Sequence, residues 1–273
     1  AGKGPGGPGG PGKGPGGKPP FKRGKPGGGK PGGGKRRVDI REVVNGVMYI
    51  LSTGCQWRYI PKDLPPRSTV HDYFSLWNWD GTLDRIHHAL YLKCREKAER
   101  EANPTACIID SQSVKTTEGG GPRGFDAGKK IKGRKRHIIT DTQGLLVGAV
   151  VHTADIQDRD GAPDVLASIR NSFPWLRHVF ADGGYAGDKL RSALAKIGTW
   201  TLEIIKRSDA AKGFKLLPRR WVVERTIAWL SRNRRLAKDF ERTIESATTW
   251  LFIASVNQIT RRIANLCNHS ASL

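Results

Sequence analysis

Two short apolar runs, ACIID at 106–110 and HVFAD at 178–182, each end on an aspartate, and the segment between them carries a hairpin pattern. KRHIITDTQG and LLVGAVVHTA read as two strands folded back at Thr142-Gln143-Gly144. A hairpin followed by single strands that are separated by helical stretches requires a mixed sheet. The hairpin pairs antiparallel, and the later strands enter through crossover helices. The spacing predicts helices over 163–171, 188–196 and 219–235 and a last strand in TWTLEIIK. The expected class is α/β, with the element order of a ribonuclease-H-like fold: a mixed sheet flanked by helices.

The chain before residue 104 is of a different kind. Asp39 and Glu42 form a capping pair; Ile40, Val43, Val44, Val47 and Leu51 follow at helical spacing, and Gly54 closes the element. A second helix is expected from Ser68 after Pro65-Pro66, and a third from about Thr82 to near Arg100. Three helices with short connections make a small helical module of helix-turn-helix type. Residues 1–37 hold 17 of the 34 glycines, 8 of the 16 prolines, seven lysines, three arginines and no acid. Such a segment cannot bury enough surface to offset the entropy of ordering it and is expected to be disordered. The expected organisation is thus a basic tail over 1–37, an all-helical domain over 38–103 and a ribonuclease-H-like domain over 104–268.

Charge points to the partner. The net charge is +22, and the tail supplies +10 of it, so the rest of the chain still carries +12. A basic body favours a polyanion through counterion release, and a nucleic acid is the expected partner. The run GKKIKGRKRH offers Lys130, Lys132, Arg134, Lys135 and Arg136 as phosphate contacts, with a solvated basic hairpin as the alternative. Arg220, Arg234 and Arg235 extend the basic surface in PRRWVVERTIAWLSRNRR. No run approaches the length of a membrane span, and no secretory signal is legible. A soluble, intracellular protein is expected. Cys55, Cys94, Cys107 and Cys267 have neither zinc-ligand nor disulfide-framework spacing. The single methionine is Met48, and a processed chain or a fragment is expected.

Three acids stand out against this background: Asp110 and Asp182 at the ends of their strands, and Glu224 in the arginine-dense helix. Each has an ordinary reading by itself. Asp110 before Ser111 makes an Asx turn, Asp182 before Gly183-Gly184 a turn, and Glu224 a surface pair with Arg220. Jointly they suit a carboxylate cluster for Mg²⁺, which needs only one or two carboxylates beside water and phosphate oxygens. On a helix, Arg220, Glu224, Ala228, Ser231 and Arg235 share a face without a large apolar residue, which suits DNA. Asp141, Asp155, Asp158 and Asp160 could support the fold, bind metal indirectly or contact a target strand, and they rank below the triad because turn and loop acids usually face water.

The run from Val38 to Leu90 resembles the N-terminal domain of bacterial insertion-sequence transposases of the insertion-sequence-five group. IIDSQSVKT, GKKIKGRKRHIITDTQGLL, ADIQDRDGAP, FADGGYAG and RRWVVERTIAWLSRNRRLAKDFE resemble its DDE catalytic domain in the same order. The resemblance covers about residues 35–266. It implies a DDE transposase with Asp110, Asp182 and Glu224 as catalytic metal ligands. Two Mg²⁺ ions, or Mn²⁺ in their place, would be the cofactor, and the DNA ends of the mobile element the substrate. A homodimer or larger assembly on DNA follows from the need to hold two ends. In the Tyr-x2-Arg-x3-Glu-x6-Lys signature of the wider group, Arg220 and Glu224 fit, whereas Leu217 and Ser231 replace the tyrosine and lysine. Two alternatives stay open: an inactive or truncated DNA-binding relic, and a ribonuclease-H-like nuclease without strand transfer.

Overall fold

The computed structural model describes residues 38–205 and 219–270, the side chains of the last two excepted. The tail over 1–37 and Leu217 lie outside the described residues. Helix α1 (Ile40–Thr53) begins where Asp39 accepts a hydrogen bond from the Arg41 amide at 2.8 Å and ends at Gly54, whose φ of 69° closes a left-handed cap. Its buried stripe is Val43, Val47, Ile50 and Leu51. Helix α2 (Arg67–Trp79) starts one residue before the expected Ser68, because Pro66 stands at its N-cap. Helix α3 (Thr82–Lys97) ends short of Arg100, where Glu99 turns to a φ of 54°.

The sheet holds six strands: β1 (Ala106–Lys115), β2 (Gly124–Asp126), β3 (Ile131–Asp141), β4 (Leu146–Thr153), β5 (His178–Ala181) and β6 (Thr201–Ile204). β1 lies between β3, its antiparallel neighbour, and β5, its parallel one; β4 pairs antiparallel with β3, and β6 parallel with β5. Helices α4 (Asp158–Ile169), α5 (Asp188–Ile197), α6 (Arg220–Ser231) and α7 (Ile244–Ser270) complete the fold. This is the expected ribonuclease-H-like order.

Several elements differ from the sequence reading. β1 does not end at Asp110 but runs five residues further, to Lys115, because β3 continues beside it through Lys115↔Gly133. α4 starts at Asp158 rather than Pro163; Asp158 and Asp160 suit the positive end of a helix, and Pro163 sits inside at the loss of one backbone bond. α6 stops at Ser231, so Arg235 is not on that helix but in a 3₁₀ turn, Arg234–Leu236. β2 and the 27-residue α7 had no counterpart in the sequence reading.

Two apolar clusters sandwich the sheet. One joins Ile108, Ile138 and Phe180 to Val222 and Val223 of α6 and Trp250 of α7; the other joins Ile109, Ile139 and Val179 to α4 and α5. The first cluster also contains Val47, Ile50 and Leu51 of α1, Val70 and Phe74 of α2 and Leu83 of α3. The N-terminal helices therefore share the core of the sheet. Polar ties cross the same boundary: His87 Nε2 lies 2.9 Å from Ser255 Oγ, Arg235 Nη1 donates to the Cys55 carbonyl at 3.2 Å, and Arg95 pairs with Asp141. A boundary near residue 104 is a change of pattern along the chain, not a gap in the packing. Among the described residues no helix is long and apolar enough to cross a membrane.

Candidate active site

The parallel register of β1 and β5 sets Ile108 against Phe180. Two residues further along each chain stand Asp110 and Asp182. Side chains alternate along a strand, so the two acids share the face of Ile108 and Phe180, which is the face covered by Val222 and Val223 of α6. α6 is seated on that face by Gln112 Nε2, which donates to Ser231 Oγ at 3.0 Å. Glu224 follows Val223 on the same helix. Arg220, one turn earlier, links the acids: its Nη2 lies 3.1 Å from Glu224 Oε1 and 3.5 Å from Asp182 Oδ2.

Electrostatics distinguish the three. Half-buried Asp110 is pushed up to about 6, first by desolvation and then by the charge of Asp182. A hydrogen bond from the Ser111 amide, at 2.7 Å, and the charges of Arg220 and Lys129 oppose the rise without cancelling it. A cation held by Asp110 and Asp182 would relieve both causes. Asp182 also accepts from the Gly184 amide at 2.8 Å, which fixes its rotamer beside the strand end. The donor set is all oxygen and anionic, and two carboxylates with open positions are enough for Mg²⁺. No three His, Cys, Asp or Glu side chains converge on one point among the described residues. Asp182 and Glu224 converge on Arg220 instead.

The opposite face of β1 carries a network that the sequence reading placed too low. Ser111 Oγ donates to Asp158 Oδ1 at 2.8 Å, and Lys135 Nζ pairs with Asp158 at 2.8 Å and with Asp126 at 3.4 Å. Ser113 donates to Asp126, and Lys129 Nζ donates to the Ser111 carbonyl at 3.2 Å. A Cβ at Gly184 would lie 3.0 Å from Asp182 Oδ1 and 3.4 Å from Asp158 Oδ2, so both acids crowd the same glycine. Asp158 is thus a brace for β1 and for the Asp182 loop, not a water-facing loop acid. Its legible signal was the Ser111/Ser113 alternation, which puts hydroxyls on the face away from Asp110. Asp141 is also no mere turn former: it is fully buried, accepts from the amides of Gln143 and Leu145 at 2.9 Å each, and is paired with Arg95.

The basic run divides in two. Lys130 and Lys132 are exposed. Arg134, Lys135 and Arg136 are buried, at 0%, 5% and 2% exposure, so the expectation that they contact phosphate is corrected. They lie on β3, which β1 and β4 flank on both sides, and each is spent internally. Arg134 pairs with Asp239, Lys135 with Asp158, and Arg136 donates to the Leu236 carbonyl at 2.9 Å. Arg235 is likewise buried, paired with Glu241 and stacked near Trp250. Arg234 is exposed, whereas Arg220 is half-buried and paired with Asp182 and Glu224.

The site is thus an acid on β1, an acid just past the end of its parallel neighbour β5 and a third acid on the helix over that face of a ribonuclease-H-like sheet. The chain belongs to the family described as "Transposase DDE domain", which matches residues 101–256. Residues 19–87 match a second description, "Putative transposase of IS4/5 family". Among curated proteins, the chain is 35% identical over 117 residues to the "Putative transposase for insertion sequence element IS402" of Burkholderia cepacia, covering 40% of this chain and 54% of that one. It is 29% identical over 85 residues to the IS402 uncharacterized 16.2 kDa protein of the same organism, covering 30% and 56%. The chain thus spans about half the length of the curated relatives it matches. The solved Mos1 transposase paired-end complex with left transposon end superposes loosely, with a TM-score of 0.25 and 10% identity over 90% of this chain and 80% of that one.

Proposed function

We propose that this protein is a transposase that binds the terminal inverted repeats of an insertion sequence and cleaves and joins DNA strands with divalent metal. Asp110, Asp182 and Glu224 are its catalytic acids. The observation that carries this reading is that Asp110 on β1 and Asp182, just past the end of its parallel neighbour β5, flank the same face, which the helix of Glu224 covers. Asp110, Asp182 and Glu224 would hold two Mg²⁺ ions, or Mn²⁺, which would activate the attacking water or 3′-hydroxyl and stabilise the leaving oxygen. The chain's own part is positioning. Asp110 and Asp182 are fixed by the strand register, Ser111 and Asp158 brace the strand from behind, and Arg220, Lys130, Lys132 and Arg234 offer positive charge to the phosphates. Two element ends have to be held together, so the working form is a dimer or larger assembly on double-stranded DNA, located in the cytoplasm with the nucleoid.

The test uses Mg²⁺ and a duplex that carries the element's terminal repeats. Joined products are expected from the parent. Asp110→Asn, Asp182→Asn and Glu224→Gln should each abolish cleavage and retain end binding. Cutting without joining would indicate a nuclease, and binding alone a relic. Cleavage by Asp182→Asn at the parent's rate would remove Asp182 from the site.

A further inference from the structure

Arg220 is placed where a cation belongs. One nitrogen of its guanidinium serves two of the three acids, at 3.5 Å from Asp182 and 3.1 Å from Glu224, and its charge reaches Asp110 as well. The start of α6 is pinned behind it. Arg219, a non-glycine residue at a φ of 69°, lays its guanidinium carbon 4.0 Å from the centre of the Phe180 ring, two residues before Asp182. The backbone at 219–220 is therefore held against β5, while the Arg220 side chain keeps 23% exposure and can turn outward. A guanidinium between two carboxylates supplies the charge that a divalent ion would supply, and the two cations repel each other in that gap. Phosphate is the better partner for its planar fork, since it accepts two parallel N–H bonds.

We infer that Arg220 gates metal loading: its guanidinium holds the place of a cation between Asp182 and Glu224, and a DNA phosphate draws it away, so that the acids take up their full metal complement after DNA binds. The inference rests on the reading of the three acids as metal ligands. Order of assembly is its consequence.

The test measures binding of Mn²⁺ itself, by the paramagnetic signal of the free ion, to the full chain and to Arg220→Gln and Arg220→Lys. Without DNA, Arg220→Gln should bind Mn²⁺ at least about tenfold more tightly than the parent, because the competing charge is gone. A short duplex of random sequence should tighten Mn²⁺ binding by the parent and have less effect on the variant. The variant's log affinity for that duplex should fall less steeply with log salt, by about one unit. Lysine keeps the charge but cannot bridge both acids in one geometry, so Arg220→Lys should lie between the two; it decides the matter if the glutamine variant fails to melt cooperatively. Equal Mn²⁺ affinity of the parent and a folded variant in the absence of DNA overturns the gate alone. Absence of Mn²⁺ binding by either protein, with or without duplex, overturns the metal reading and the gate together.

Discussion

Arg134→Ala should destabilise the protein by about 3–5 kcal/mol, the range for breaking a buried ion pair from one side. The side chain is wholly enclosed. Its Nε donates to the Pro122 carbonyl at 2.9 Å; Nη1 lies 3.1 Å from both Asp239 Oδ1 and the Thr243 carbonyl, and Nη2 lies 3.3 Å from the Arg242 carbonyl. Alanine removes all four bonds and leaves Asp239, 2% exposed, with the Glu241 amide at 2.9 Å and the charge of buried Arg136, which does not hydrogen-bond to it. A carboxylate that has lost its direct ion-pair partner dominates that loss, and the three stranded carbonyls add to it. Arg134→Met fills the space and should cost nearly as much. Joining it to Asp239→Leu should recover most of the loss, because both charges then leave the interior together. Urea unfolding measures the change, and DNA affinity against salt is the companion assay. A loss below about 1 kcal/mol, together with a salt slope lowered by about one unit, would mean that Arg134 faces phosphate after all and that the burial argument is wrong.

Three further outcomes are expected. Burial holds His87 down at about 4 and His137 at about 3, from an ordinary 6.5, with the neighbouring His88 and His152 adding to the effect. The unfolded chain then binds the extra protons first, so stability falls as pH drops from about 6.5 toward 4, by about 2 kcal/mol per histidine near pH 5; His87→Gln and His137→Gln should flatten the profile, and an unchanged profile would refute the assignment. Deleting residues 1–37 should leave the cooperative thermal transition intact and lower non-specific DNA affinity, whereas a chain starting at residue 104 should lose that transition, since it removes Val47, Ile50, Leu51 and Phe74 from the core shared with Trp250; a cooperative melt of the second would show that the sheet stands alone. Lys130→Ala with Lys132→Ala should change stability by no more than about 0.5 kcal/mol and flatten the salt dependence of DNA binding by about one unit per lost contact, and an unflattened slope would leave both lysines as solvated surface.

Sequence alone determined the features set by neighbours along the chain. Asp39 and Gly54 bound α1 because a cap and a left-handed stop act within one turn. The hairpin closes at Gly144, with a φ of 83°, because that turn demands it, and α5 and β6 follow their own local periodicity. The order of those elements was enough to point to the sheet, and Asp110, Asp182 and Glu224 stood out by their context. Tertiary structure alone decided what each charge meets. Arg134 and Arg136 look like solvated residues of a basic run, yet β3 is covered by β1 and β4, and their partners arrive from about residue 236 to 243. Asp158 looked like a loop acid until α4 turned it onto Ser111. Arg220 and Glu224 are one helical turn apart and could be paired from sequence, but the approach of Asp182 to the same guanidinium depends on how α6 crosses the sheet. Caps, turns and periodicity are governed by a few adjacent dihedral angles, whereas burial and charge pairing depend on which distant segments pack together, and no local pattern carries that information.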